Sequence, residues 1–291
     1  MHNKFKYYIF LLLLVIVFVT YTIFPHQQTK ESILFFPIEK EARFTKTKTS
    51  LHQTSSAFGE QYHLLWSIES TLDRKAYLRQ DVGLLYENGQ LKGTLGIKKW
   101  KTNTETIKEQ KIVSNSESAL FQAITFHYGE LHNGESIRST QKMSNAQLYM
   151  IVSPSKHASS FIHPKNKAES EWQVALNQYT TQRLQSLWIK GKAKYGLTNK
   201  ELISIPLTDL YQYNQTPIRG LSVADTQKII GQLWEGLYKN YMIGFRNENK
   251  PPMNPIGSYL PLVVINLKEK TLYVLIPTKD QDYVLLKQRI S

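Results

Sequence analysis

Residues 81–100, DVGLLYENGQLKGTLGIKKW, carry the strongest fold signal in the chain. Asn88-Gly89 sits between two apolar runs, and both central residues of a type I′ turn need φ > 0, which Asn and Gly tolerate best. A two-residue turn there pairs Tyr86 with Leu91, Leu84 with Gly93 and Val82 with Leu95, all on one face. Turn chemistry and apolar alternation therefore choose the same register of an antiparallel hairpin.

The same alternation extends outward. In YHLLWSIES, Leu64, Trp66 and Ile68 alternate with His63, Leu65, Ser67 and Glu69, the period of a half-buried strand. Further strands are expected near Thr104 to Val113, on either side of a turn at Asn133-Gly134 (Tyr128 facing Ser139), and over QLYMIVS. Residues 60–153 thus read as mainly antiparallel β.

Past Pro154 the period changes. After the loop SPSKHASSFIHPKNK, Trp172, Leu176, Tyr179, Leu184, Leu187 and Trp188 recur at helical spacing. Glu169 and Glu171 fall in the first turns and Lys190, Lys192 and Lys194 at the end, as the helix dipole favours. A second helix is expected from Ser222, where Ser222 and Asp225 have the spacing of a capping box, with Ile230, Leu233, Trp234, Leu237 and Tyr241 as its apolar stripe. Residues 154–245 read as mainly α, and 246–291 as β, closing in a hairpin or meander. Strands, then helices, then strands predict an α+β fold, with residues 60–291 as one domain.

Upstream, Tyr7 to Phe24 is an uncharged apolar run. At about 1.5 Å per residue it matches a bilayer core, which predicts a retained single-pass transmembrane helix, or signal-anchor. Lys4 and Lys6 precede it, so the positive-inside rule keeps residues 1–6 cytoplasmic and exports the remainder. Residues 25–59 read as a polar stalk interrupted by the apolar island Ile33 to Ile38. That island is expected to dock on the domain as an edge strand or to lie at a membrane interface.

The formal charge is +13 and there is no cysteine. Disulfides, cysteine-zinc sites and thiol catalysis are excluded. The charge suits anionic lipid, an acidic wall polymer or another envelope protein, and the topology and dispersed lysines argue against nucleic acid. No phosphate loop, dinucleotide fingerprint, nucleophile elbow or zincin motif is present, so no cofactor is expected. His127 and His132 flank Glu130, but a spacing of five on a strand sends them to opposite faces, so no metal site is expected and they read as surface histidines. Ser159 and Ser160 lie near His157 and His163, yet no orienting carboxylate is visible nearby. Lys156, His157, His163, Lys165 and Lys167 occur without an acid ahead of a helix start, which makes them the candidate anion site. The expected function is a non-catalytic binding, regulatory or assembly protein of a bacterial cell envelope, anchored at the membrane. The alternative is an envelope hydrolase acting on an anionic or polymeric substrate. A histidine converging on a carboxylate would favour the enzyme, and an open sheet edge a partner.

Overall fold

The computed structural model describes residues 36–55, 61–96, 101–155, 157–247 and 250–290, which belong to one compact unit. About 51% is strand, in a nearly closed barrel-like sheet, a smaller second sheet and a two-stranded ribbon of β9 (Phe245–Asn247) and β10 (Lys250–Met253). The α+β expectation is therefore corrected: the fold is mostly β. Among the described residues no helix is long and apolar enough to cross a membrane. The single-pass, signal-anchor reading is corrected with it: it rested on residues 7–24, which lie outside the described residues.

The first sheet is built on one long strand, β2 (Tyr62–Glu87). Its first half alternates buried Tyr62, Leu64, Trp66, Ile68 and Ser70 with half-exposed neighbours. At Asp73, Arg74 and Lys75 it turns a corner, and there its pairing with β4 (Lys101–Asn115) slips between Thr71 and Ala76. β4 runs along one edge of β2 through that corner. On the other edge lie β1 (Phe44–Ser55), beside the first half, and β5 (Ala119–Asn133), beside the second. The sheet continues through β6 (Ser136–Val152) and β7 (Ala158–Phe161). Folding at the corner brings β1 over β6 and encloses a core of Leu51, Leu64, Trp66, Ile68, Phe121, Leu148 and Met150. β1 occupies sequence expected to be stalk. It was hidden because TKTKTSLHQTS turns only Thr49 and Leu51 firmly inward.

The Asn88-Gly89 turn is present, with φ of 48° and 78°. Glu87 meets Gln90 and Tyr86 meets Leu91 in β3 (Gln90–Leu95), but a bulge then pairs Leu85 with Gly93. Leu84 and Leu85 are both fully buried, so the alternation could not choose between the two registers. The second hairpin turns at residues 134–135, and Tyr128 meets Gln141 rather than Ser139.

Helix α1 (Lys167–Lys194) starts at Asn166, whose side chain accepts from the Glu169 N–H at 2.9 Å. It buries Leu176, Thr180, Leu184 and Gly191, while Trp172 and Tyr179 face outward. Its last turns lie on the second sheet, of order β13 (Tyr283–Arg289), β12 (Thr271–Pro277), β11 (Leu262–Asn266) and β8 (Ile203–Pro206). There the Trp188 indole N–H donates to Leu260 O at 2.9 Å and the Tyr283 hydroxyl to Leu187 O at 2.9 Å. Helix α2 (Val223–Leu237) is capped by Ser222, which accepts from the Asp225 N–H at 3.0 Å. It covers the opposite face of that sheet and stacks Trp234 on Tyr128 of the barrel at 3.9 Å.

Candidate functional site

Two places in the barrel bear on function: a buried polar layer and a groove at the seam. The polar layer crosses the interior below the apolar core. Asp81 and His127 are direct partners in the β2–β5 ladder, so both side chains enter from the same point. The His127 Nδ1 N–H donates to Asp81 Oδ2 at 2.7 Å, and Nε2 lies 2.8 Å from Ser144 Oγ. Ser70 donates to Asp81 Oδ2 at 2.7 Å, and Arg79 reaches Ser70 Oγ at 2.5 Å, Tyr128 O at 3.1 Å and Glu105 O. Arg79 and His127 are 0% exposed and Asp81 2%. Burial alone would raise the Asp81 carboxyl. The His127 imidazole, then the Arg79 guanidinium and the Ser70 hydroxyl, outweigh it and hold the carboxyl below its usual range. Burial lowers the Arg79 guanidinium, with Asp81 opposing.

His127 is therefore a core residue, which corrects its surface assignment. It does converge on a carboxylate, and Ser144, His127 and Asp81 line up like a hydrolytic triad. Thr49 Oγ1 donates to Thr125 Oγ1 at 2.6 Å and lies 2.7 Å from Ser144 Oγ, so the serine hydroxyl sits between Thr49 and His127 inside the barrel. Ser144 sits mid-strand opposite Thr125, not on the strand-to-helix elbow that exposes a hydrolytic serine.

The groove lies where the barrel fails to close. Two adjoining hollows of about 620 and 560 Å³ share Leu51, His52, Ile162 and His163. Residues 48–54 all line it, inward-facing and outward-facing alike, which means that the groove runs along the edge of β1 and not over one face. β1 pairs with β2 alone. Its side chains bridge the gap instead, Gln53 Nε2 donating to Ala158 O at 3.1 Å. The opposite wall is residues 145–148 of β6, with Phe161, Ile162, His163 and Lys165 beyond it. Lys48, His52, His163 and Lys165 line the groove, and among the described residues no Asp or Glu does.

Of the five residues expected to form an anion site, His163 and Lys165 line this groove. Lys156 lies outside the described residues. His157 is exposed, its N–H donating to Ser153 Oγ at 3.1 Å. Lys167 is exposed 3.8 Å from Glu171. The start of α1 is already served by Glu169, whose Oε2 accepts from the Lys165 N–H at 2.6 Å. His132 lies 2.6 Å from Glu130 and stacks on Tyr77 at 3.7 Å, apart from His127. Among the described residues no three metal-ligating side chains come together. Sequence reasoning missed Lys48 and His52, because β1 read as spacer, and Arg79 and Asp81, whose partners arrive from distant strands.

A larger hollow, about 840 Å³, lies where Pro37 and Ile38 meet α2. It presents mixed charge, from Lys40, Lys228 and Glu235. Compared with known protein families, characterised proteins and solved structures, the chain matches none.

Proposed function

We propose that the protein is a non-catalytic binding, regulatory or assembly protein of a bacterial cell envelope, and that it holds an anionic partner in the seam groove. The observation that carries the reading is the groove itself, lined by Lys48, His52, His163 and Lys165 with no acid among its described walls. The cysteine-free composition and the +13 charge suit the envelope setting. Exposed cations at such a groove attract anions through solvent, so binding should be salt-sensitive.

The test is retention of anionic vesicles, acidic wall polymer or an acidic protein segment by the purified protein at 0.1 M and 1 M salt. The Debye length falls from about 10 Å to about 3 Å over that range, and binding should fall steeply with it. Lys48→Gln with Lys165→Gln should weaken binding more than Lys108→Gln with Lys111→Gln on β4. Equal losses would mean diffuse charge and no site.

The hydrolase reading has one observation in its favour, the Asp81, His127 and Ser144 alignment. The full burial of His127 and the mid-strand position of Ser144 oppose it. Turnover of an envelope polymer that disappears in Ser144→Ala would revive it.

A further inference from the structure

The outer edge of β6 is covered piecemeal, and one stretch is left bare. The Ser139 N–H donates to Pro37 O at 2.8 Å and its carbonyl accepts from the Glu39 N–H at 2.7 Å. The Met143 N–H donates to Asn214 Oδ1 at 2.9 Å, and Met143 O accepts from Asn214 Nδ2 at 2.9 Å, so a side-chain amide stands in for a neighbouring strand. Farther along, Tyr149 to Val152 pair with β7. Residues 139 and 143 thus point their main-chain groups away from β5. In an antiparallel ladder those directions alternate by two, so Asn145 and Gln147 point outward as well. Among the described residues no strand is laddered to them there, and both line the groove facing residues 48–52 of β1.

We infer that this gap accepts an extended acidic polypeptide segment, which hydrogen-bonds to the main chain of Asn145 and Gln147 and lies along the edge of β1. The inference rests on the proposed anion-binding role of the groove and names the occupant. A bare strand edge offers alternating donors and acceptors that only another polypeptide backbone matches, as in β-strand addition. Lys48, His52, His163 and Lys165 favour acidic side chains on that segment. Ile162, 52% exposed at the lip, offers apolar contact for the alternate side chains. A wall polymer or lipid headgroup would satisfy the charge and leave the edge unpaired.

The test uses a fluorescent octapeptide of alternating Glu and Val, the same peptide N-methylated at alternate amides, poly(glycerol phosphate) and phosphatidylglycerol vesicles. The parent peptide should bind, and N-methylation should weaken it tenfold or more. Asn145→Pro removes an outward N–H that β5 does not use and should weaken peptide binding similarly. It should leave the melting midpoint near that of the parent protein. Lys48→Glu with Lys165→Glu, both exposed, should abolish binding without any demand on the strand. Equal binding of the methylated peptide would overturn the inference. So would binding of only the polymer or the vesicles, although the proposed function would stand. Pairing of two copies of this chain through the gap would overturn the acidic-segment assignment. No binding of any anion would remove both.

Discussion

Replacing Gly89 by Ala tests how the barrel is fastened to helix α1. Gly89 has φ of +78°, where a side chain costs about 1–2 kcal/mol. An added Cβ would also lie 2.9 to 3.0 Å from three side-chain carbons of Leu184, itself buried in α1. Overpacking of this kind costs about 1–3 kcal/mol, so the sum is about 2–5 kcal/mol. With a urea m-value of about 3 kcal/mol/M, the unfolding midpoint should fall by roughly 1 M. Leu184→Ala alone should cost about 2–5 kcal/mol through the cavity that it leaves. In the double variant the new methyl group enters that cavity. The loss should therefore be about 1–3 kcal/mol smaller than the sum of the single losses, the backbone cost remaining. Urea unfolding followed by tryptophan fluorescence measures all four proteins. Additivity within about 0.5 kcal/mol would refute the contact between the turn and the helix.

Asp81 has its carboxyl held below the usual range. Its contribution to stability is therefore fully present above the unfolded value near 3.9 and drains away as pH falls through the lower folded value. Asp81→Asn should lower stability at pH 7 and flatten the acid limb, and an unchanged acid limb in thermal unfolding between pH 2 and 5 would contradict this. Arg79→Met leaves Asp81 with one buried cationic neighbour fewer and should cost about 3–5 kcal/mol, read from denaturant midpoints. At Gly191 a Cβ would meet Tyr283 at 2.6 Å and Leu275 at 2.7 Å, so Gly191→Ala should destabilise by about 1–3 kcal/mol despite the better helix propensity of Ala. By contrast Gly134, with open space around it, should tolerate Ala at about the backbone cost alone, a difference visible in melting midpoints.

What could be read from the sequence depended on how local the cause was. Asn88-Gly89 and the Ser222 cap are set by neighbouring residues, and both could be named in advance. The register of the first hairpin could not, because β2 is buried on both faces at Leu84 and Leu85 and its period carries no preference. The face of α1 was misjudged for a related reason. The helix seats Thr180 and Gly191, a polar residue and a residue without a side chain, because the approach there is close, while Trp172 and Tyr179 remain outside. At the groove, His163 and Lys165 stood out as unopposed charge. Lys48 and His52 did not, since only the fold places β1 beside them. Arg79, Asp81 and His127 are distributed over two strands, and their meeting is a property of the ladder.

The Asn88-Gly89 hairpin also receives a distant segment, residues 257–260. The Leu260 N–H donates to Gly89 O at 2.8 Å, the Leu91 N–H to Ser258 O at 2.7 Å, and the Gly257 N–H to Leu91 O at 2.9 Å. β8 likewise waits for β11, some sixty residues later, before its first ladder partner exists. A chain made from its N-terminus can form its hairpins early, but these contacts of high sequence separation form late and slowly. During synthesis the barrel would stand with its turn uncovered and β8 unpaired until residue 266 had emerged. A ribosome stalled before that point would hold an almost complete barrel that cannot lock.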